Sequence, residues 1–254
     1  MIAIEFRLKL SSMYSIRVPY SYQCARTYPL PAPSTIKGLC ANALWENEGG
    51  NPIEKLNEIH QASIGATSRT DSSIAVSSCT VRIIPMNALL KQFAFTPCID
   101  CMIVLKKGYE ILENRIIEAL KVSPVYLGDS ESLVSVMPET VQSVPNIEEF
   151  NEGTEITVNS LVKFDFIKDK KMTSKGVVLY MQDDPCADDA ILERYIAPLM
   201  QEGDIYKPLE SFSFISAKKG IVVKGNRVQG IFSEDKQTES TAQKPKRERK
   251  KKAS

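Results

Sequence analysis

The stretch Ala25-Arg26-Thr27-Tyr28-Pro29-Leu30-Pro31-Ala32-Pro33-Ser34-Thr35-Ile36-Lys37-Gly38 reads as a proline-stiffened loop that feeds a helix. Pro29, Pro31 and Pro33 forbid helix before Ser34, and each preceding residue is pushed towards extended backbone. From Ser34 onward Ile36, Leu39, Cys40, Ala43 and Leu44 fall on one helical stripe, with Ser34 or Thr35 placed to cap the first turn and Gly49-Gly50 to stop it. A helix start presents free N–H groups and the positive end of the dipole, which suits an anion. Lys37 in the opening turns and Arg26 on the loop strengthen that suggestion; an ordinary capped helix behind a packed loop explains the same residues without a ligand.

Working outward, Ile2, Ile4, Phe6, Leu8 and Leu10 alternate with polar residues, the period of a strand with one buried face. Residues 11–33 form a long loop rich in Pro and Tyr, a length more often functional than idle. After Gly50, Asn51-Pro52 opens a second helix through Ile53, Leu56 and Ile59, ending near Gly65. A strand is expected over 73–85, a hairpin or arm over 86–98, a buried strand over Cys101–Leu105, a helix over Tyr109–Lys121 and a strand near 132–137. Beyond these the pattern gives strands near 154–168 and 176–181, a helix near 188–201, and strands near 211–216, 220–224 and 227–232. The order is that of an α+β chain whose first part is a split βαβ, ferredoxin-like (RRM-like) domain. The expected units are 1–145, a β-rich C-terminal region over 146–232, and a disordered basic tail over 233–254.

Charge is unevenly spread. Residues 6–45 contain Arg7, Lys9, Arg17, Arg26 and Lys37 and no acid, whereas 122–162 contain seven acids and no Lys or Arg. Lys244 to Lys252 hold seven Lys/Arg and one Glu, enough to add non-specific attraction for nucleic acid. No apolar run approaches the ~18 residues of a membrane span and the start lacks a signal-peptide plan, so a cytoplasmic protein without a membrane partner is expected. The six cysteines are sparse and irregular, which fits reduced thiols and not a disulfide framework.

A second segment, Pro124-Val125-Tyr126-Leu127-Gly128-Asp129-Ser130-Glu131-Ser132, places a glycine turn between helix and strand. Such a turn can offer backbone N–H groups to a phosphate or be a plain connection. Taken in order, the two segments resemble motifs of the CRISPR-associated RAMP proteins that cap the 5′ handle of the guide RNA in type I (Cascade) complexes. The resemblance covers about residues 1–137. It implies a ferredoxin-like core with a thumb-like hairpin at 86–98, an antiviral-defence role in binding the crRNA 5′ handle, and partnership with backbone RAMP subunits and the large subunit of Cascade. Arg26, Ser34, Thr35 and Lys37 match the first motif; Gly128, Asp129 and Ser130 match the second; Lys91 would lie on the thumb. Arg69 and Arg82 join this set of RNA-binding candidates from charge and position alone.

Some relatives of that kind cut guide precursors with a Tyr/Lys/His set. Here the single histidine, His60, falls within a helix and no Lys-His pair occurs. Acid–base cleavage needs a group titrating near neutrality, so a non-catalytic subunit without cofactor is expected. The alternative is a repeat-cleaving endoribonuclease built on His60. Ser34-x-x-Lys37 lacks the companion motifs of penicillin-binding enzymes. Cys98-x-x-Cys101 lacks a second pair for zinc, and there is no Walker or dinucleotide glycine motif. The 101–107 strand lacks the aromatics with which RRM sheets stack bases, so loops and backbone would carry recognition.

Overall fold

The computed structural model describes residues 1–21, 24–83, 87–129, 132–169, 176–186 and 191–233. Ser130 and the basic tail from 234 onward lie outside the described residues, as does the side chain of Arg82. The architecture is mixed α/β, mostly strands with three helices among the described residues: α1 (Pro33–Glu48), α2 (Pro52–Ala62) and α3 (Glu110–Val122). No helix there is long and apolar enough to cross a membrane.

The central sheet runs in the order Ser63–Arg69, Cys98–Leu105, Ile2–Lys9, Leu133–Val136, Val125–Tyr126, and each pair of neighbours is antiparallel. Gln142–Val144 continues the pairing with the first strand. Alternation puts Ile4, Phe6 and Leu8 on one face, where they share a core with Ile36, Leu39 and Leu44 of α1, Ile59 of α2 and Ile116 and Leu120 of α3. The apolar stripe expected of α1 is therefore its buried face.

The opposite face of the sheet is buried too. Ala3, Met102 and Val104 pack against Ile221, Val223, Val228 and Phe232 from the hairpin of Gly220–Lys224 with Gln229–Phe232. Glu5, fully buried on this side, receives the backbone N–H groups of Asn226, Arg227 and Val228 at 3.1, 2.7 and 2.6 Å and the Gln142 amide at 2.9 Å. A buried carboxylate is tolerable when its lone pairs are filled in this way. The second half of the chain thus caps the sheet. Leu161, Met181, Tyr195, Ala197 and Leu199 also enter the same core as the helices.

Four expectations are corrected. α1 starts at Pro33, and its N-cap is Ala32 with no side-chain hydrogen bond, so neither Ser34 nor Thr35 caps it. The sheet strand after α2 is Ser63–Arg69, not 73–85. Its small and polar residues carry no strand signal, and it is held by pairing with Cys98–Leu105. The 73–85 segment, as Ile74–Ile83, instead pairs with Asn87–Phe95 in a long hairpin of a second, five-stranded sheet, so the arm is longer than 86–98. The helix expected over 188–201 is replaced by strands Leu192–Ala197 and Leu199–Glu202, separated by Pro198. Leu192–Ala197 pairs along its whole length with Val177–Gln182, and tertiary pairing overrides the helix-like spacing of its apolar residues.

Candidate nucleic-acid interface

The two motif segments meet at the edge of the central sheet. Ser15 bridges Gly128 in parallel, and its carbonyl accepts the N–H of Asp129 at 3.2 Å. Gly128 has φ +94°, and a Cβ there would stand 2.3 Å from the Ser15 oxygen. Glycine is thus required by both conformation and space. The Asp129 carboxylate binds Lys91 Nζ of the hairpin at 2.8 Å and accepts the Ser132 hydroxyl at 2.5 Å, which joins turn to arm.

Above this junction a hollow of about 480 Å³ is lined by Arg17, Tyr28, Ser34, Thr35, Lys91 and Gly128 among others. A second hollow, about 520 Å³, shares Ser34, Thr35, Gly128 and Gln182 with it and continues to Asn42, Tyr126 and Pro185. Together they form one groove across the first turn of α1. Its chemistry is mixed. Backbone and hydroxyls come from the helix start and an exposed guanidinium from Arg17. An exposed aromatic comes from Tyr126, and amides come from Gln182 and Asn42, whose Oδ1 is buried without a partner. Such a surface suits a single strand held through phosphates, 2′-hydroxyls and a stacked base.

Of the sequence candidates, Ser34, Thr35, Lys91, Gly128 and Asp129 line this groove. The others are elsewhere. Lys37 points inward with its side chain 3% exposed, and its ammonium binds the Asp183 carboxylate at 2.7 Å and the Asp183 carbonyl at 2.9 Å. It is a tie between α1 and the C-terminal region, so an anion is indeed near this lysine, and that anion is internal. Arg69 projects on the capped side of the sheet, where Nη1 donates to the Arg227 carbonyl at 2.7 Å and Nε is buried without a partner. Arg26 is exposed, outside the groove lining, with its backbone carbonyl accepting Val18 N–H. Arg17, Tyr126, Asn42 and Gln182 were not singled out by sequence. Arg17 lies in the acid-free stretch and Tyr126 in the second motif, whereas Gln182 is far along the chain and carries no local signal.

The Tyr28 phenol beside the groove is held well above neutrality. Burial pushes the Tyr28 hydroxyl up to about 12, and that hydroxyl donates to the Tyr180 carbonyl. His60, near the C-terminal end of α2, lines neither hollow. Its Nε2 sits 3.3 Å from Asp184 Oδ1; burial lowers its pKa, while the Asp184 charge opposes that shift.

A family model described as CRISPR-associated protein (Cas_Cas5) matches residues 4–83. Over those residues, about a third of its length, the chain is similar to that family. The match takes in the first strand, the proline loop, α1, α2 and the start of the hairpin, and it stops before the glycine turn. The fold is shared with a crystal structure of a CRISPR protein from Archaeoglobus fulgidus, at TM-score 0.59 and 11% identity over 92% of this chain and 99% of that one. A chain of a CRISPR RNA-guided surveillance complex is similar at TM-score 0.44, with 14% identity over 84% of this chain and 91% of that one. A chain described as a Cas protein follows at TM-score 0.43 and 14% identity, over 77% and 95%. No curated protein matches the sequence.

Proposed function

We propose that this Cas5-type chain is a non-catalytic subunit of a type I CRISPR surveillance (Cascade) complex, that it holds the 5′ handle of the guide RNA in the groove across α1, and that backbone RAMP subunits and the large subunit flank it there. The observation that carries the reading is the meeting of Ser34 and Thr35 with Gly128 in one lining, although about ninety positions separate them in the chain. The sheet order supports a ferredoxin-like core. The strands that follow the first, second, third and last positions of a split βαβ plan stand as second, third, first, last across the sheet. The hairpin of Ile74–Ile83 and Asn87–Phe95 occupies the thumb's place in the chain and delivers Lys91 to the groove.

The non-catalytic reading draws on the lining. Among its described residues none is His or Cys, and Tyr28 is tied to a carbonyl with its hydroxyl far above neutrality. A general base working near pH 7 needs a group that titrates there. The test is fluorescence anisotropy with a 5′-handle RNA over a salt series, on the chain alone and on the assembled complex. Arg17→Ala should weaken binding and flatten the salt slope by about 0.7, the share of one phosphate on a single strand. An unchanged slope in the variant would remove the groove from the account. Metal-free incubation with repeat RNA should leave it intact; cleavage that vanishes in His60→Ala would establish the endoribonuclease in its place.

A further inference from the structure

His60, Asp184 and Cys186 bring three different metal-ligating atoms together, all within 4.8 Å of one another. They come from two elements. His60 stands in the last turn of α2, and the other two stand on the loop that follows Val177–Gln182. None of them takes part in the groove lining. We propose that they form a binding site for a zinc-class divalent ion, with a fourth position left to water.

The donor set suits that ion. Imidazole, carboxylate and thiolate are all ligands for zinc, and the thiolate selects against calcium and magnesium. Tetrahedral ligands 2.0–2.3 Å from a metal stand about 3.4–3.8 Å apart. His60 Nε2 and Asp184 Oδ1 are already 3.3 Å apart, so closing the set requires a small swing of the Cys186 side chain, whose thiol lies within 4.8 Å of both. The loop is preformed: Asp184 Oδ1 accepts the N–H of Cys186 at 2.7 Å, and the Asp184 carbonyl accepts the Gln182 amide at 2.6 Å. The C-terminal end of a helix carries the negative end of its dipole, which favours a cation beside His60. Lys37, whose charge acts on both His60 and Cys186, is already paired with Asp183. On binding, the sulfur–metal bond replaces the S–H bond and the proton passes to water.

The bound ion would clasp α2 to the loop that supplies Pro185 to the groove wall and follows Gln182, whether or not RNA binds there. The experiment uses the purified full chain and two probes, zinc and cobalt(II). One equivalent of cobalt should give a thiolate-to-metal charge-transfer band. Cys186→Ser should abolish that band and weaken zinc binding at least tenfold in an indicator competition, since even altering a ligand's supporting partner costs 10–100-fold. Cys79→Ser, at another exposed thiol, should leave both unchanged. His60→Ala should weaken zinc binding like Cys186→Ser; should it unfold α2, the Cys186 variant alone decides. Absence of stoichiometric zinc binding, or zinc affinity unaltered by Cys186→Ser, would overturn the site. RNA binding measured in the same preparation keeps this outcome separate from that of the groove.

Discussion

Replacing Lys37 by methionine separates its two readings, phosphate ligand and internal tie. Methionine keeps an unbranched stem of similar length and a good helix propensity, so packing in α1 changes little. What is lost is the ion pair to Asp183, whose carboxylate is 14% exposed and whose carbonyl also accepts from the ammonium. Removing one partner of a buried pair costs about 3–5 kcal/mol, because the other charge is left uncompensated. Asp183 retains some access to water, so the lower end, about 3 kcal/mol, applies. At about 2–4 °C per kcal/mol for a chain of this size, the midpoint of thermal unfolding should fall by about 6–12 °C. The double variant Lys37→Met with Asp183→Asn should lose about 2 kcal/mol less than the two single variants added together, the coupling expected of a direct pair. The assay is calorimetry of all four proteins alongside the salt dependence of RNA binding. A Lys37→Met protein with unchanged midpoint and a salt slope flattened by about 0.7 would refute the reasoning, since that is the signature of a phosphate contact.

Glu5→Gln should destabilise by about 2–3 kcal/mol in urea unfolding, because an amide oxygen cannot take over all four hydrogen bonds and its NH₂ would face other donors. Gly128→Ala should cost about 2–4 kcal/mol through its positive φ and the forced shift of Ser15, and should weaken RNA binding more than Gly153→Ala, whose added Cβ meets nothing. Glu48 at the end of α1 binds Arg115 of α3 and Lys55 of α2, and the Arg115 hydrogen bonds above all hold its carboxyl down to about 2. A lowered carboxyl stabilises the fold fully above its ordinary value of 4.5 and loses that contribution as pH falls towards 2. Glu48 is exposed and screened, so urea midpoints at pH 5 and pH 2.5 should show wild type losing only about 0.5–1 kcal/mol more than Glu48→Gln.

What was legible in the sequence were elements whose periodicity reflects one dominant neighbour. α3 buries one stripe in the core, so its spacing announced it; α1 and the first strand showed the stripe and the alternation of their larger apolar side chains, although α1 is also buried at Lys37 and Ala41 and the strand at Ala3 and Glu5. Ser63–Arg69 did not, because its partners on both faces need small residues: Ala66 faces the helical core and Gly65 lies against Phe232. The segment expected as a helix over 188–201 misled for the opposite reason, the apolar residues of its described part being spaced as on a helix while their pairing partners lay in another strand. At the candidate site, the glycine turn and the helix start were visible because each is a local backbone requirement. The fate of each cation was not, because it is settled by residues far away in sequence: Asp183 for Lys37, the Arg227 carbonyl for Arg69, Asp129 for Lys91. A charged residue's availability to a ligand is a tertiary property, and no local pattern encodes it.

On the proposed function, the burial of both sheet faces limits where a strand of nucleic acid can lie. An open sheet of this order would offer its flat face to stacked bases. Here Glu5, at the centre of that face, is fully buried and anchors the turn at 226–228, and Ile221, Val223 and Phe232 cover the rest. Uncovering the face would expose a buried carboxylate together with Ala3, Met102 and Val104, so the cap is part of the folded state and not a lid. On the proposed function, binding is thereby displaced to the rim, where the chain leaves the sheet at Ser15 and Gly128 and enters α1 through the proline loop. Another part of the C-terminal region supplies Gln182 and Pro185 to the groove, so that region closes one surface and builds the other.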